Sequence, residues 1–525
     1  MINYKTNLNI NLRTIVFSFL VFVGFILSIS IIYQVISAIS DINIPFDTDE
    51  ADHANAGLEI YWHLTKGSLS SFLTAISSQS FYPPLHSFIV AICYKLFGIT
   101  LFSSRISSIL LLILSAVTLT YSVIRTTNIK LVSIQSAFTL SVTLMLLTNN
   151  PIFVENGALC MLELQGVFLC SLILLATTTP VNLASCITIS VLSFLLFLTK
   201  YNFGIFLIPA ISFSYILTDK KLAFIYSLLT FAFIALWLNF TNIESFKYFL
   251  TGHPSYAPIL SSSNLLFEIK AWFFEYHQSI GIAIVTTILA FLSLTNPKEN
   301  FALLYSIFGV VGTLVILLMS TTNESRHFIV AAPLMWFMAL YVLVRLENYS
   351  SLTQILRVLV LVLAIHSSFL MNNKVRKIIV RGMEGHPSYE QAITFLTEKT
   401  DPTVPGLVIG NHDKLSIEAV QWYAAKLHNL PYSAVKFDSF PFDAEKVNNS
   451  IKRGRNSDDW ISNNNIHSDP FNLINSGHYK QILIFRRVGV SDDKAKLIKV
   501  FTDLAQQKRF YRKTFGPYEA IYIKL

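Results

Sequence analysis

Four carboxylates fall within six residues, at Asp47, Asp49, Glu50 and Asp52, and His53 follows directly. Carboxylates in such a cluster can supply a general base, which must lie within hydrogen-bond reach of the proton it removes. The same cluster has a plainer use, since Asp47 or Thr48 could cap a helix running on through Glu59. A second set is basic or aromatic: Tyr82 and His86 on either side of Pro83-Pro84-Leu85, then Arg105, then Lys200-Tyr201, then Arg326-His327. A guanidinium suits phosphate because its planar fork matches the oxygens. Glu163 stands apart from both sets, in an apolar stretch where a carboxylate is costly and functional by default.

The elements that hold these residues are read from composition first. The chain has 525 residues, of which 53% are hydrophobic and 13% charged. Soluble globular chains carry roughly 25% charged residues. Mean hydropathy is +0.54, and Phe is abundant at 42. Charged residues are sparse before residue 371 and dense after it, which implies lipid as the first solvent and water as the second. The net charge of +8 includes no basic run with interleaved aromatics, so a nucleic-acid partner is not indicated. Cys93, Cys160, Cys170 and Cys186 lie in apolar segments without CxxC spacing and read as small buried hydrophobes.

A membrane span needs ~20 apolar residues. The pattern predicts spans at 14–39, 105–124, 131–148, 157–177, 182–199, 201–218, 222–240, 278–295, 299–320, 327–345 and 352–371. They must be helical, because backbone polar groups in lipid have to pair internally. The first run reads as a signal anchor, too long for a cleaved leader. Placing the N-terminus inside puts Lys5, Arg13, Arg125, Lys130, Lys220, Lys221, Lys298 and Arg345 on the cytoplasmic side, as the positive-inside bias asks. Residues 40–104, 149–156, 200, 241–277 and 321–326 then share the outer side with everything from 372 onward. The stretch Pro83–Leu101 would invert every later helix if it crossed, so it is expected to lie at the outer interface, from Pro83-Pro84 to near Gly98. Glu163 is expected about two turns inside the span 157–177. Acids and bases from separate helix ends thus meet on one face, where they could bind an anionic lipid headgroup.

Residues 372–525 read as a soluble α/β unit. Strands are expected at 404–410, 481–485 and 520–523, helices at 417–428 and 493–507, and a long polar loop at 448–465. Gly410-Asn411-His412-Asp413 at a strand end reads as a turn, with acceptor recognition or a lid as its functional alternative.

Taken in order, the motifs resemble glycosyltransferase family 39, within the GT-C superfamily that includes protein O-mannosyltransferases and the bacterial lipid A aminoarabinose transferase. The resemblance rests on Asp49-Glu50, Tyr82-Pro83-Pro84-Leu85, Leu96-Phe97-Gly98, Arg105-Ile106-Ser107-Ser108, the block from Pro151 to Glu163, Thr199-Lys200-Tyr201, and Arg326-His327 with Pro333. It covers residues 10–345. Two positions depart from the pattern: Tyr82 stands where many members carry a basic residue, and Glu163 where many carry Asp.

The spans, the tail and the resemblance together predict an all-α polytopic membrane protein with about eleven transmembrane helices, GT-C-like over 1–371, and an outer α/β domain over 372–525 that the resemblance does not cover. The resemblance implies transfer of a sugar, with inversion, from a polyprenyl-phosphate carrier to a hydroxyl of a glycolipid, envelope polysaccharide or protein. Asp49 would be the base, Glu50 its helper, and Glu163 a holder of acceptor or cation. Arg105, Lys200, Tyr201, Arg326 and His327 would surround the donor phosphate. Asp47, Asp52, His53, Tyr82 and His86 are further loop candidates. No cofactor is assigned; a divalent metal near Asp47, Asp49 and Asp52 is the one candidate. The expected location is a bacterial inner membrane, with the N-terminus cytoplasmic and the C-terminal domain periplasmic. The rivals are a flippase for lipid-linked intermediates, which would show internal repeats and midplane charges, and a non-catalytic relative.

Overall fold

A computed structural model of the protein describes residues 12–41, 46, 48–79, 82–243, 246, 266, 301–317, 325–345, 351–380, 388–410, 417–439, 478–488 and 510–525. Its described helices begin with α1 (Leu12–Ile39), α2 (Thr48–Lys66), α3 (Leu69–Ser77), α4 (Leu85–Phe97) and α5 (Leu101–Thr127). They continue as α6 (Ile134–Thr148), α7 (Pro151–Ala158), α8 (Glu163–Thr177), α9 (Leu183–Phe197), α10 (Tyr201–Thr218) and α11 (Lys220–Phe240). After them come α12 (Phe301–Leu317), α13 (Ala332–Arg345), α14 (Ser351–Asn372) and the short α15 (Val375–Val380). Four of these, α1, α5, α10 and α11, are long and apolar enough to cross a bilayer, and the bent pair α6–α7 makes up to five. Every predicted span coincides with an apolar helix except 278–295, which lies outside the described residues.

The predicted span 157–177 is corrected. The chain bends by 76° between α6 and α7, where Asn150 caps the Ile152 amide and Pro151 opens the new helix. It breaks again after Ala158, and Glu163 is the first residue of α8 rather than two turns inside a helix. Buried partners hold the break open: the Ser108 hydroxyl donates to the Leu159 carbonyl at 2.6 Å, and the Cys160 amide donates to Glu50 Oε1 at 3.1 Å. Backbone groups freed from a helix persist inside a core only with such replacements.

Helix α2 is the polar exception among its neighbours. Its first turn carries Asp49 and Glu50 and its last carries His63 and Lys66, the charge order that favours the helix dipole. It lies against α4 at Gly57, where a Cβ would meet Val90 Cγ1 at 2.5 Å. Helix α4 follows Pro84 and stops at Gly98, whose φ of 78° suits a residue without a side chain. A helix is therefore present within the stretch Pro83–Leu101, with the expected start and stop. A Thr100–Ser103 capping box then opens α5.

Beyond the helical bundle, α16 (Ser388–Lys399) and α17 (Ile417–His428) accompany a five-stranded sheet. Its strands are β1 (Gly406–Gly410), β2 (Phe437–Ser439), β3 (Gln481–Arg487), β4 (Phe510–Phe515) and β5 (Tyr518–Lys524), in the order β2-β1-β3-β5-β4. β1 pairs in parallel with β2 and β3, and β5 runs antiparallel to β3 and β4. The expected helix 417–428 and all three expected strands are found. The helix expected at 493–507, the loop 448–465 and Asn411-His412-Asp413 lie outside the described residues. Buried apolar side chains form one large cluster among the membrane helices. A second joins Phe46, Ala54 and Tyr94 to Trp422, Phe437 and Leu483, so the sheet unit shares a core with α2 and α4.

Candidate active site

Four charged side chains from four separate elements form a chain. Arg326, in the 3-10 turn Ser325–Phe328 ahead of α13, donates through Nη2 to Asp49 Oδ2 at 3.1 Å. Its Nε stands 4.0 Å from Glu163 Oε1. Lys200 Nζ donates to the same Glu163 oxygen at 3.1 Å. Glu163 sits at the positive end of α8, where a carboxylate is favoured. Lys200 occupies the N-cap of α10, where a cation is disfavoured, and Glu163 offsets that cost. The other Glu163 oxygen, Oε2, is buried and has no hydrogen-bond partner among the described residues. An unmatched buried acceptor costs roughly 1–3 kcal/mol, so this oxygen is poised for a donor such as a hydroxyl.

Asp49 is partly exposed, with its side chain at 43% accessibility, and Arg326 at 27%. Burial raises the Asp49 carboxyl, but the Arg326 guanidinium, followed by His53 and Lys200, holds it below its usual 3.8. One helical turn on, His53 lies on the same face of α2. Its ring meets Tyr82 edge-on at 4.8 Å and His86 at 5.6 Å. Burial and the neighbouring His86 push His53 down to about 3, so it is neutral at pH 7. His86 is buried, with Nδ1 3.2 Å from Gln165 Oε1 and Nε2 3.7 Å from the Cys160 sulfur. Gln165 in turn donates to the Thr199 hydroxyl at 3.0 Å, adjoining Lys200. Gln165, Thr199 and Cys160 were not singled out as site residues, although Thr199 and Cys160 lie within the motifs quoted above.

Glu50 and Arg105 also meet, but away from this chain. Arg105 Nε donates to Glu50 Oε1 at 2.6 Å and Nη2 to Oε2 at 3.0 Å. Their side chains are 0% and 1% accessible respectively, and Phe46 covers the guanidinium at 5.4 Å. Tyr201 is fully buried as well, its hydroxyl accepting from the Trp237 indole at 3.3 Å. Asp52 is half-buried on α2. Asp47 lies outside the described residues; His327 shares the turn of Arg326, and its side chain is not described. Among the described residues no three His, Cys, Asp or Glu side chains are grouped as metal ligands.

No protein-family model matches the chain, and no curated protein matches it significantly. Solved structures do. ArnT from Cupriavidus metallidurans in the apo state is 11% identical, with a TM-score of 0.60 over 95% of this chain and 97% of that one. The same protein bound to undecaprenyl phosphate is 13% identical, with a TM-score of 0.59 over the same shares. The oligosaccharyltransferase AglB from Archaeoglobus fulgidus, in complex with an inhibitory peptide and a dolichol-phosphate, is 11% identical, with a TM-score of 0.50 over 87% of this chain and 69% of that one. At such identities the likeness is one of fold. The chain has the GT-C fold and, with its apolar helices, is a multi-pass membrane protein.

Proposed function

We propose that the protein is a membrane glycosyltransferase that moves a sugar from a polyprenyl-phosphate donor to an acceptor hydroxyl, with inversion. The observation that carries this reading is the chain Asp49–Arg326–Glu163–Lys200, in which a candidate base lies 3.1 Å from one cation and Glu163 links that cation to a second. Asp49 takes the hydroxyl proton as the acceptor oxygen bonds to the anomeric carbon. The bond from that carbon to the phosphate oxygen breaks on the opposite face, and its electron pair leaves on the phosphate. Arg326 and Lys200 are placed to stabilise that growing charge, the effect of preorganised cations in a partly desolvated site. Glu163 orients both cations and offers Oε2 to a sugar or acceptor hydroxyl. Arg105 serves by holding Glu50, and Tyr201 by seating the start of α10.

Two neighbours in fold carry a polyprenyl phosphate, undecaprenyl phosphate on ArnT and dolichol-phosphate on AglB, which supports a lipid-phosphate donor here. The Lys and Arg pattern between spans supports a site on the outer face of a bacterial inner membrane, with the N-terminus inside and the sheet unit outside. The acceptor is a glycolipid, an envelope polysaccharide or a protein hydroxyl, and one experiment separates them. A strain lacking the protein is complemented with wild type or Asp49→Asn, and lipid A, polysaccharide and glycoproteins are compared by mass spectrometry. One species should lose a sugar on deletion and regain it with wild type alone. Full restoration by Asp49→Asn would remove Asp49 as the base.

A further inference from the structure

We infer that Trp422 of the C-terminal sheet unit is a positioning residue for the active site, holding the start of α2 so that Asp49 faces Arg326. The inference rests on the reading of Asp49 as the base. Trp422 is fully buried, although it lies in a soluble unit more than three hundred residues downstream of α2 in the sequence. Its ring meets Phe46 edge-on at 5.0 Å, and its indole donates to the Tyr94 hydroxyl at 3.0 Å. Both partners lead back to α2. Phe46 covers Arg105, which grips Glu50 through two hydrogen bonds. Tyr94 donates to the Ala54 carbonyl at 3.2 Å. Trp422 therefore reaches α2 by two routes, one ending at the residue beside Asp49 and the other one turn further along.

The contact continues down α2. Asn55 donates to the Glu418 carbonyl at 2.8 Å, one turn before Trp422 on α17. Glu59 accepts from the Ser433 amide at 3.0 Å and from its hydroxyl at 2.7 Å. A helix of mixed polarity gains little from lipid or from the apolar bundle. The sheet unit adds polar ties along its length, at Asn55 and Glu59, to those that the bundle makes near its start. The site needs such rigidity, because a catalytic group displaced by about 1 Å can lose ~100-fold in rate.

The test uses the full-length protein in lipid nanodiscs. Hydrogen–deuterium exchange is followed on peptides from the first two turns of α2 in wild type, Trp422→Ala and Trp422→Phe. Trp422→Ala should speed exchange there about tenfold or more and leave α10 peptides unchanged. Trp422→Phe, which keeps the ring edge on Phe46, should recover much of the protection. In membranes of the complemented deletion strain, using its own donor pool, Trp422→Ala should lower the sugar-transfer rate by about 10- to 100-fold. Unchanged exchange at α2 together with an unchanged rate would overturn the inference. If Trp422→Ala does not accumulate, Phe46→Leu makes the same comparison. An active Asp49→Asn would sink the base assignment alone, and the exchange data would still judge the positioning role.

Discussion

Asp49 and Glu50 adjoin in the sequence, and each is paired with an arginine, but the two pairs have different surroundings. Successive residues of a helix point about 100° apart. Glu50 turns into the core against Arg105, where both side chains are essentially inaccessible. Asp49 turns into the cleft against Arg326, with 43% of its side chain open. The sealed pair is joined by two hydrogen bonds, and its carboxylate also accepts from the Cys160 amide, all inside the protein. The open pair is joined by an Arg326 Nη2 to Asp49 Oδ2 hydrogen bond, and its arginine also faces Glu163, at a place a substrate can reach. Residue type alone does not separate a reactive acid from a structural one. Exposure does.

Two substitutions test this contrast most sharply. Asp49→Asn should reduce transfer by about 10²–10⁴-fold, the usual contribution of a general base, while the thermal midpoint stays near wild type because the Asp49 side chain is partly exposed. A large fall in midpoint would make Asp49 structural and dissolve the contrast. Arg105→Ala should do the reverse first: breaking a buried ion pair leaves Glu50 uncompensated and costs about 3–5 kcal/mol, read as a lowered midpoint in detergent. Replacing both, as Glu50→Leu with Arg105→Met, should restore most of that stability. The shortfall should be about 1–3 kcal/mol for the orphaned Cys160 amide.

How far the sequence reveals this arrangement depends on which forces set each part. Asp49, Lys200 and Arg326 could be grouped as candidates because each was expected at a helix end on one side of the membrane, and the structure brings the three side chains into one charged chain. Helix Ile417–His428 was legible from its periodicity. The break before Glu163 was not, because residues 157–177 are mostly apolar and read as one continuous run, while the break depends on Ser108 and Glu50, distant in the chain. Arg105 and Arg326 look alike in sequence; only the docking of Phe46 and α2 seals one of them. Strand β4 (Phe510–Phe515) escaped notice because it is mostly exposed and carries no alternating apolar face, although Gly516-Pro517 marks the hairpin that joins it to β5. Trp422 is unremarkable in a sequence reading, since its partners lie in a segment expected at the membrane surface.

The open pair yields two smaller effects. Arg326→Gln should lower transfer by about 10²–10³-fold, the cost of removing one preorganised donor, with Lys200→Gln causing a loss of the same kind. Activity that survives both substitutions would move the phosphate site elsewhere.

The last effect is a change in pH dependence rather than a loss of rate. A general base works only when deprotonated, so kcat/KM falls as pH drops through its pKa. Arg326 holds the Asp49 carboxyl below 3.8 against the opposing push of burial. Wild type should therefore show no acid limb from this group above that value. In Arg326→Gln, burial acts with less opposition, and the limb should move to higher pH. Lys200→Gln should move it less, because Lys200 is the weakest of the contributors. His53, pushed down to about 3, is already neutral near pH 7 and adds no limb there. An acid limb that stays in place when Arg326 is replaced would mean that the rate reports some other carboxylate, and the open pair would lose its claim to the chemistry.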